Sequence, residues 1–498
     1  MIYIDPPYNT GNDFIYPDDY SESLQTYLEF TGQVDSGGKV FSTNTETNGR
    51  FHSRWLSMMY PRLYLARNLL KEDGVLFVGV DDHEVHNLRR ICDEIFGEEN
   101  FVCTFIWEKR YSPPPDTKDV GYVHDNILLY RRSSSYRMGL LPLTADQQAR
   151  YKNPDNDSRG PWKPMDYTCR YTKAERPNLY YKILNPNTRK AVLPKKTRVW
   201  AFSSEVHKQN EKEQRIWWGK HGKAGVPALK NFLSDIRQGM MPMTLLKHDA
   251  VGNTDEATKE LRQVIPDFKY TPKPIRLIKH LMAIANVGDE DTVLDFFAGS
   301  GTTGIAVLES NAAEGTHRRF ILVQLPESTG HPQLPLMTDV MEERLKRVVA
   351  KLPAKTKGGS DVGFRVFALS ESNFLPWNGA AASNADELGR QLDLHVGHIR
   401  ADRRPEQILY ELLLKSGFPL TTRCEKKSLA GKTLFSVADG ALIICLERKL
   451  TLELIRAIAD LRPERVVCLD EGFAGNDQLK TNAVQSFRTK GVTSFKTV

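Results

Sequence analysis

The sequence predicts an α/β fold: a largely parallel sheet flanked by helices, interrupted by an irregular basic insert and followed by a smaller α/β unit. Three observations carry this. Short apolar runs alternate with amphipathic ones before and after a middle segment, the middle segment loses that rhythm, and a Pro, Gly and Lys stretch precedes a second alternating region.

Taken in order, IYID, SRWLSMMYPRLYLARNLL, GVLFVGV and HEVHNLRRICDEIFG read as strand, helix, strand and helix within 1–108. Ligands of such sheets gather beyond the carboxyl ends of the strands, where DPPY and GVDDHE stand. The segment 109–265 is rich in Pro, Gly, Asn, Trp and Tyr and reads as an insert. From 266 to 352 the alternation returns: helix PIRLIKHLMAIA, strand TVLDFF, a glycine turn, helix TTGIAVLES and strand RFILVQL. The two flanking segments are expected to be halves of one sheet. LPAKTKGGSD, at 352–361, has the composition of a linker. Beyond it, 362–498 reads as helix EQILYELLLKSG ended by Gly417, strand ALIICL, helix TLELIRAIADL and strand RVVCLD.

Composition bounds the chemistry. With 498 residues, 40% hydrophobic and 26% charged, the chain can bury several cores. No apolar run is long enough to span a bilayer, and the N-terminus lacks a basic leader, so no membrane partner and a cytoplasmic location are expected. The six cysteines (92, 103, 169, 424, 445 and 468) form no C-x-x-C pair, which suggests neither a zinc site nor a disulfide framework, and no metal is expected. The net charge of +6 is unevenly spread: 109–250 holds 27 Lys and Arg against 13 Asp and Glu. A concentrated surplus of that kind suits a polyanion, and Tyr111, Trp162, Tyr167, Tyr171, Trp200, Trp217 and Trp218 lie among its cations.

Two motifs carry chemistry. Asp5-Pro6-Pro7-Tyr8 follows a short strand directly. An exocyclic amine is a poor nucleophile because its lone pair is delocalised. Acceptors on its two hydrogens, here the Asp5 carboxylate and the Pro6 carbonyl, localise that pair. Two prolines fix the carbonyl, and Tyr8 offers a face for an extruded base. A strand-ending turn has the same local form. The second motif, VLDFFAGSGTTGIAVL, is strand, glycine turn and helix, with Gly299 and Gly301 where backbone must approach a ligand. Many nucleotide folds share such a turn; this one lacks the G-K-[ST] ending of a P-loop.

Together, DPPYNTG and DFFAGSG resemble the paired signatures of the β-group amino-methyltransferases of DNA, in that group's order of catalytic motif, recognition region and cofactor motif. DPPYNTGNDFIY, WLSMMYPRLYLARNLLKEDGVLFVGVDDHE, NPDNDSRGPW, FILVQLPE and DEGFAGNDQLKTNAVQSF narrow the resemblance to modification subunits of type III restriction-modification systems, over nearly the whole chain. The resemblance implies a Rossmann-like, S-adenosylmethionine-dependent DNA adenine-N6 methyltransferase with permuted motif order, an inserted recognition domain and a small C-terminal α/β interaction domain. It assigns catalysis to Asp5, Pro6, Pro7 and Tyr8, and S-adenosyl-L-methionine contacts to Asp295, Phe296, Ala298, Gly299 and Gly301. Lys273 and Pro274 match the cofactor-side motif, and Lys273 could equally be a solvated helix start. Gln324 stands where relatives often carry an acid for the ribose, with Glu327 as a substitute, and Asp81 and Asp82 either face the site or cap the next helix.

Double-stranded DNA, a second copy of the chain and a helicase and nuclease restriction subunit are the implied partners. Family members carry a substantial stretch before the catalytic strand, whereas here Met1 to Ile4 alone precede the motif. That departure keeps open an inactive subunit that recognises DNA and recruits a restriction partner. A cytosine-N4 enzyme is the nearest catalytic rival, although Ser usually replaces the first Asp there.

Overall fold

The computed structural model describes residues 1–10, 49–113, 120–235, 239–353, 363–375, 399–473 and 475–498. The chain divides into two compact units, Met1–Gly363 and Phe364–Val498. Most of the linker expected at 352–361 lies outside the described residues.

In the first unit the elements run β1 (Ile2–Ile4), α1 (Gly49–Leu69), β2 (Val75–Val80), α2 (Val85–Phe96), β3 (Phe101–Glu108) and β4 (His124–Arg131). Then come β5 (Trp162–Asp166), β6 (Ile216–Trp217), β7 (Ala228–Phe232), β8 (Leu245–Leu246), α3 (Thr254–Val264), α4 (Ile275–Ile284), β9 (Thr292–Asp295), α5 (Thr302–Glu314), β10 (Arg319–Leu322) and α6 (Met337–Lys351). Seven strands form one mixed sheet, ordered β8-β3-β4-β2-β1-β9-β10. The two halves read from the sequence join at its centre: β1 is parallel to β2 on one side and to β9 on the other, with Ile2 opposite both Leu76 and Leu294. This is the Rossmann-like α/β sheet the motif order implies, extended on one side through the antiparallel β4.

Central parallel strands are apolar throughout because helices cover both faces. Alternation assigns the faces. Ile2, Ile4, Leu76, Val78 and Val80 pack with Trp55, Met58, Met59 and Leu63 of α1 and Leu88, Cys92 and Ile95 of α2. Tyr3, Val75 and Phe77 pack with Leu277, Ile278 and Leu281 of α4 and Ala306 and Val307 of α5. On α1, Trp55, Met59, Leu63 and Ala66 recur at helical spacing and are buried.

The insert is shorter than the expected 109–265. Strand β4 pairs with β2 and β3 in the central sheet, β8 rejoins that sheet beside β3, and Leu261 of α3 packs with Met337 and Val340 of α6. A bridge between Leu141 and Met240, with both backbone hydrogen bonds at 2.8 Å, forms the neck, and the irregular segment lies between those residues. The surplus of charge begins in the β3–β4 connection, before the sheet is complete, so composition alone places the boundary too early.

Among its described residues the second unit has five strands, β11 (Cys424–Leu429), β12 (Lys432–Val437), β13 (Leu442–Cys445), β14 (Arg465–Cys468) and β15 (Ser494–Thr497), paired in chain order. Helix α7 (Pro405–Lys415) packs one face; α8 (Leu452–Asp460) and α9 (Asp477–Thr489) pack the other. Gly417, at φ 79°, follows α7 as the sequence predicts. Among the described residues no helix is long and apolar enough to cross a membrane, and no group of three or more His, Cys, Asp or Glu could hold a metal.

Candidate active site

Strands β1 and β9 are adjacent and parallel, so the Asp5 loop and the glycine turn leave the sheet side by side at the same end. The DPPY loop is held from several directions. The indole Nε1 of Trp55, a fully buried residue of α1, donates to the Pro7 carbonyl at 2.6 Å. That pins the backbone one residue beyond the Pro6 carbonyl. Asn9 turns the chain with φ 61° and donates through Nδ2 to Glu84 at 2.6 Å. The Glu84 carboxylate is fully buried and also meets His52 Nδ1 at 2.6 Å and accepts from Asn87 at 2.8 Å. A buried charge survives only when its oxygens are satisfied in this way.

Asp5 sits in a network of opposite charges. The Lys273 ammonium donates to Asp5 Oδ2 at 2.6 Å and to the Tyr8 hydroxyl at 2.8 Å. The Tyr8 hydroxyl lies 2.9 Å from Asp5 Oδ1 and 3.3 Å from Asp125 Oδ2, and Lys109 donates to Asp125 Oδ1 at 2.6 Å. Desolvation, then the carboxylates of Asp5 and Asp125, hold the Tyr8 phenol well above its usual range, so it keeps its proton. Lys273 also lies over the Tyr8 ring, 5.0 Å from its centroid, and over the buried Trp107 at 5.5 Å. Lys273, expected to touch a cofactor or solvent, has a side chain 14% exposed that is bound to Asp5 and Tyr8. Pro274 is buried at the start of α4.

The glycine turn is built as its residue types demand. Gly299 and Gly301 have φ 52° and 80°, left-handed values that favour glycine. A Cβ on Gly299 would lie 2.9 Å from the Tyr270 hydroxyl. The Asp295 carboxylate points inward: it accepts from the Phe297 N–H at 3.1 Å and the Thr303 hydroxyl at 2.6 Å, and its residue is 3% exposed. Burial raises its pKa to about 7. Asp295 therefore organises the turn from beneath. Gln324 Oε1 accepts from the Gly299 N–H at 2.7 Å, while its Nε2 donates to Glu327 Oε1 at 3.4 Å. The pair brings an amide and a carboxylate to the end of β10, beside the turn. Below, the buried Arg344 donates to Ser300 Oγ at 2.7 Å and Thr302 Oγ1 at 3.0 Å, and desolvation lowers its pKa to about 10.

These residues fit the implied cofactor. Two left-handed glycines open the turn, Phe296 and Tyr270 offer partly exposed rings, and Glu327 supplies an acceptor of the kind ribose hydroxyls need. Ala298 is buried in the turn, and its carbonyl accepts from the Gly301 N–H at 2.8 Å. Asp81 is occupied by the following turn, accepting from the His83 N–H at 3.0 Å, and Asp82 accepts from Asn126 at 3.0 Å.

In the insert, the aromatic residues separate into two groups. Trp162, Tyr167, Trp200 and Trp218 are buried, and the last three form a local core with Ile183 and Leu229. They build the domain, although in sequence they lie among its cations. Large apolar rings with one polar atom are core residues when that atom finds a partner, as Trp200 Nε1 does on the Tyr181 carbonyl at 2.7 Å. Tyr171 and Trp217 are half-buried, and Tyr111, on the β3–β4 connection outside the insert, is 68% exposed. Three loops carry exposed cations, Arg189 with Lys190, Lys195 with Lys196, and Lys220 with Lys223, and the first and third are joined by Asn185 Nδ2 donating to the Gly222 carbonyl at 3.0 Å.

A family model described as DNA methylase, covering N6 and N4 methyltransferases, matches residues 1–325, and the chain belongs to that family. It is 33% identical over 382 residues to the Mod subunit of the type III restriction-modification enzyme StyLTI of Salmonella typhimurium, covering 74% of this chain and 56% of that protein. It is 28% identical over 550 residues to the EcoP15I Mod subunit of Escherichia coli, covering 98% and 80%. The chain thus spans just over half the length of the first relative. Among solved structures, a DNA modification methylase of Thermus thermophilus complexed with S-adenosyl-L-methionine is 15% identical over 71% of this chain and 87% of that chain, with a TM-score of 0.28.

Proposed function

We propose that this chain is the modification subunit of a type III restriction-modification system and transfers a methyl group from S-adenosyl-L-methionine to N6 of adenine in double-stranded DNA. The observation that carries the reading is the parallel adjacency of β1 and β9, which sets the Asp5 carboxylate beside the glycine turn. Family membership and the two type III relatives support it.

S-adenosyl-L-methionine, when bound, supplies an electrophilic methyl on a sulfonium. The residues of this chain do the rest. Gly299, Gly301, Phe296, Gln324 and Glu327 hold the cofactor, with Asp295 and Arg344 shaping the turn from within. An adenine inside a duplex is unreachable, so it is extruded and stacks on Tyr8. Asp5 and the Pro6 carbonyl accept the two amine hydrogens, drawing the lone pair out of the ring. A carboxylate at the first position of the motif favours adenine over cytosine as the target.

The basic loops of the insert contact phosphates and position the duplex. The type III reading also brings two protein partners, a second copy of this chain and a restriction subunit. Unmodified DNA incubated with the protein and tritiated S-adenosyl-L-methionine should yield labelled N6-methyl-2′-deoxyadenosine after digestion to nucleosides, and D5A should yield none. Label in N4-methyl-2′-deoxycytidine, or no label with wild type, overturns the assignment.

A further inference from the structure

The Tyr8 hydroxyl carries one proton and faces two carboxylates. Asp5 Oδ1 is 2.9 Å away and Asp125 Oδ2 is 3.3 Å away, while the Lys273 ammonium donates to the phenol oxygen at 2.8 Å. A phenol has a single O–H to donate, so one carboxylate receives it and the other faces the oxygen without it. Asp125 is fixed for this role. It opens β4 as the partner of Trp107 on β3, it is 2% exposed, and its other oxygen accepts from Lys109 at 2.6 Å. Lys109 is itself anchored, its carbonyl accepting from the backbone and side chain of Thr254 at 3.1 Å. A link between two strands needs only the Lys109 contact, and a buried ion pair contributes little by itself. The second Asp125 oxygen is turned to Tyr8.

We propose that Asp125 is a positioning residue for methyl transfer: it takes over the Tyr8 hydroxyl when the target amine engages Asp5. This rests on the methyltransferase reading above. In the free protein both Asp5 oxygens accept hydrogen bonds, from Tyr8 and from Lys273. The arriving amine hydrogen competes for Asp5. Rotation of the phenolic O–H toward Asp125 Oδ2 releases Asp5 Oδ1 and keeps the Tyr8 ring tied at its far end, so its face stays aligned with the extruded base. No covalent bond is made or broken by this exchange, and Tyr8 remains neutral throughout.

Single-turnover methylation of unmodified DNA with tritiated S-adenosyl-L-methionine, on the full chain, tests this with D125N, Y8F and their combination. In D125N the amide keeps its oxygen for Lys109 and turns an N–H to Tyr8, which forces the phenolic proton onto Asp5. The transfer rate should fall about tenfold or more, as expected for one hydrogen bond to a charged group, with cofactor affinity unchanged within about twofold. Y8F removes the competing proton, so adding D125N to it should cost nothing further. That suppression is the decisive readout, since a structural role for Asp125 acts equally in both backgrounds. A D125N loss that persists in Y8F, or a fully active D125N, overturns the inference. Should D125N fail to fold, K109M, which frees Asp125 from its anchor, asks the same question against Y8F. Wild type without transfer refutes the methyltransferase reading itself.

Discussion

Gly79 leaves the space beside Asp5 open: a Cβ placed on Gly79 would lie 2.9 Å from Oδ1 of Asp5. Gly79 stands within the otherwise apolar strand VLFVGV, where glycine costs chain entropy and packs nothing. Its benefit is room for the carboxylate. In G79A the methyl group meets the end of a side chain rather than backbone, so the fold should tolerate it, with Tm within about 3 °C of wild type, the change expected for well under 1 kcal/mol in a large domain. Asp5 must move by a few tenths of an ångström, and a misplaced acceptor costs rate. We expect methyl transfer to fall at least about tenfold. A fully active G79A shows that Asp5 is not held where the structure places it.

Lys273 separates two roles that the sequence leaves open. A residue that binds cofactor changes cofactor affinity when removed. Lys273 instead touches Asp5 and Tyr8 at 2.6 and 2.8 Å. K273M should therefore lower kcat about tenfold to a hundredfold, the range for a charge-assisted contact, and leave the Kd for S-adenosyl-L-methionine within about threefold. Calorimetric titration that shows the opposite pattern, weak binding with normal kcat, restores Lys273 to the cofactor.

What the sequence reveals follows from what is local. The helices and strands that the sequence reveals are those whose apolar periodicity is strong: IYID, GVLFVGV, TVLDFF and RVVCLD fall on β1, β2, β9 and β14. The glycine turn is legible because left-handed backbone selects glycine at 299 and 301. The residues that complete the site are not. Trp55, Glu84 and Asp125 reach the DPPY loop and the following Asn9 from α1, the N-cap of α2 and the start of β4, with Lys109 just past β3 holding Asp125, and each belongs locally to an ordinary element. Nothing in the spacing of Asp125 from Tyr8 marks them as partners, because strand pairing brings them together. The insert aromatics mislead for the converse reason: composition reports that Trp and cations share a segment, while folding sorts the rings inward and the cations outward.

Two of the basic loops of the insert should be felt as salt dependence. Lys195 and Lys196 are exposed on one loop and Lys220 and Lys223 on another. Each lysine that neutralises a phosphate contributes close to one unit to the slope of log K against log salt. The quadruple alanine variant should bind duplex DNA more weakly at low salt and lose about two to four units of that slope. Its fold should be intact, since the substituted side chains are at the surface. An unchanged slope in filter binding from about 50 to 200 mM salt, the range over which phosphate contacts are read, removes these loops from the DNA interface.

Asp295 makes a prediction about stability and pH. Burial raises its pKa from 3.8 to about 7. Below pH 3.8 the carboxyl is protonated in folded and unfolded chains alike and contributes no pH dependence. Between 3.8 and 7 the folded chain retains a proton that the unfolded chain has lost, so rising pH destabilises the fold, by up to about 1.4 kcal/mol per pH unit. Above about 7 both forms are ionised and the penalty levels off. Asparagine at 295 cannot ionise and, like the protonated acid, offers a carbonyl oxygen to the Phe297 N–H or the Thr303 hydroxyl. D295N should therefore gain on wild type steadily as pH rises from about 4 to about 7, with the difference constant beyond. Urea unfolding at several pH values across that window reads the gap directly. Parallel stability curves for the two proteins mean that Asp295 is already ionised at low pH, and that the turn beneath the glycines is more open to water than its 3% exposure implies.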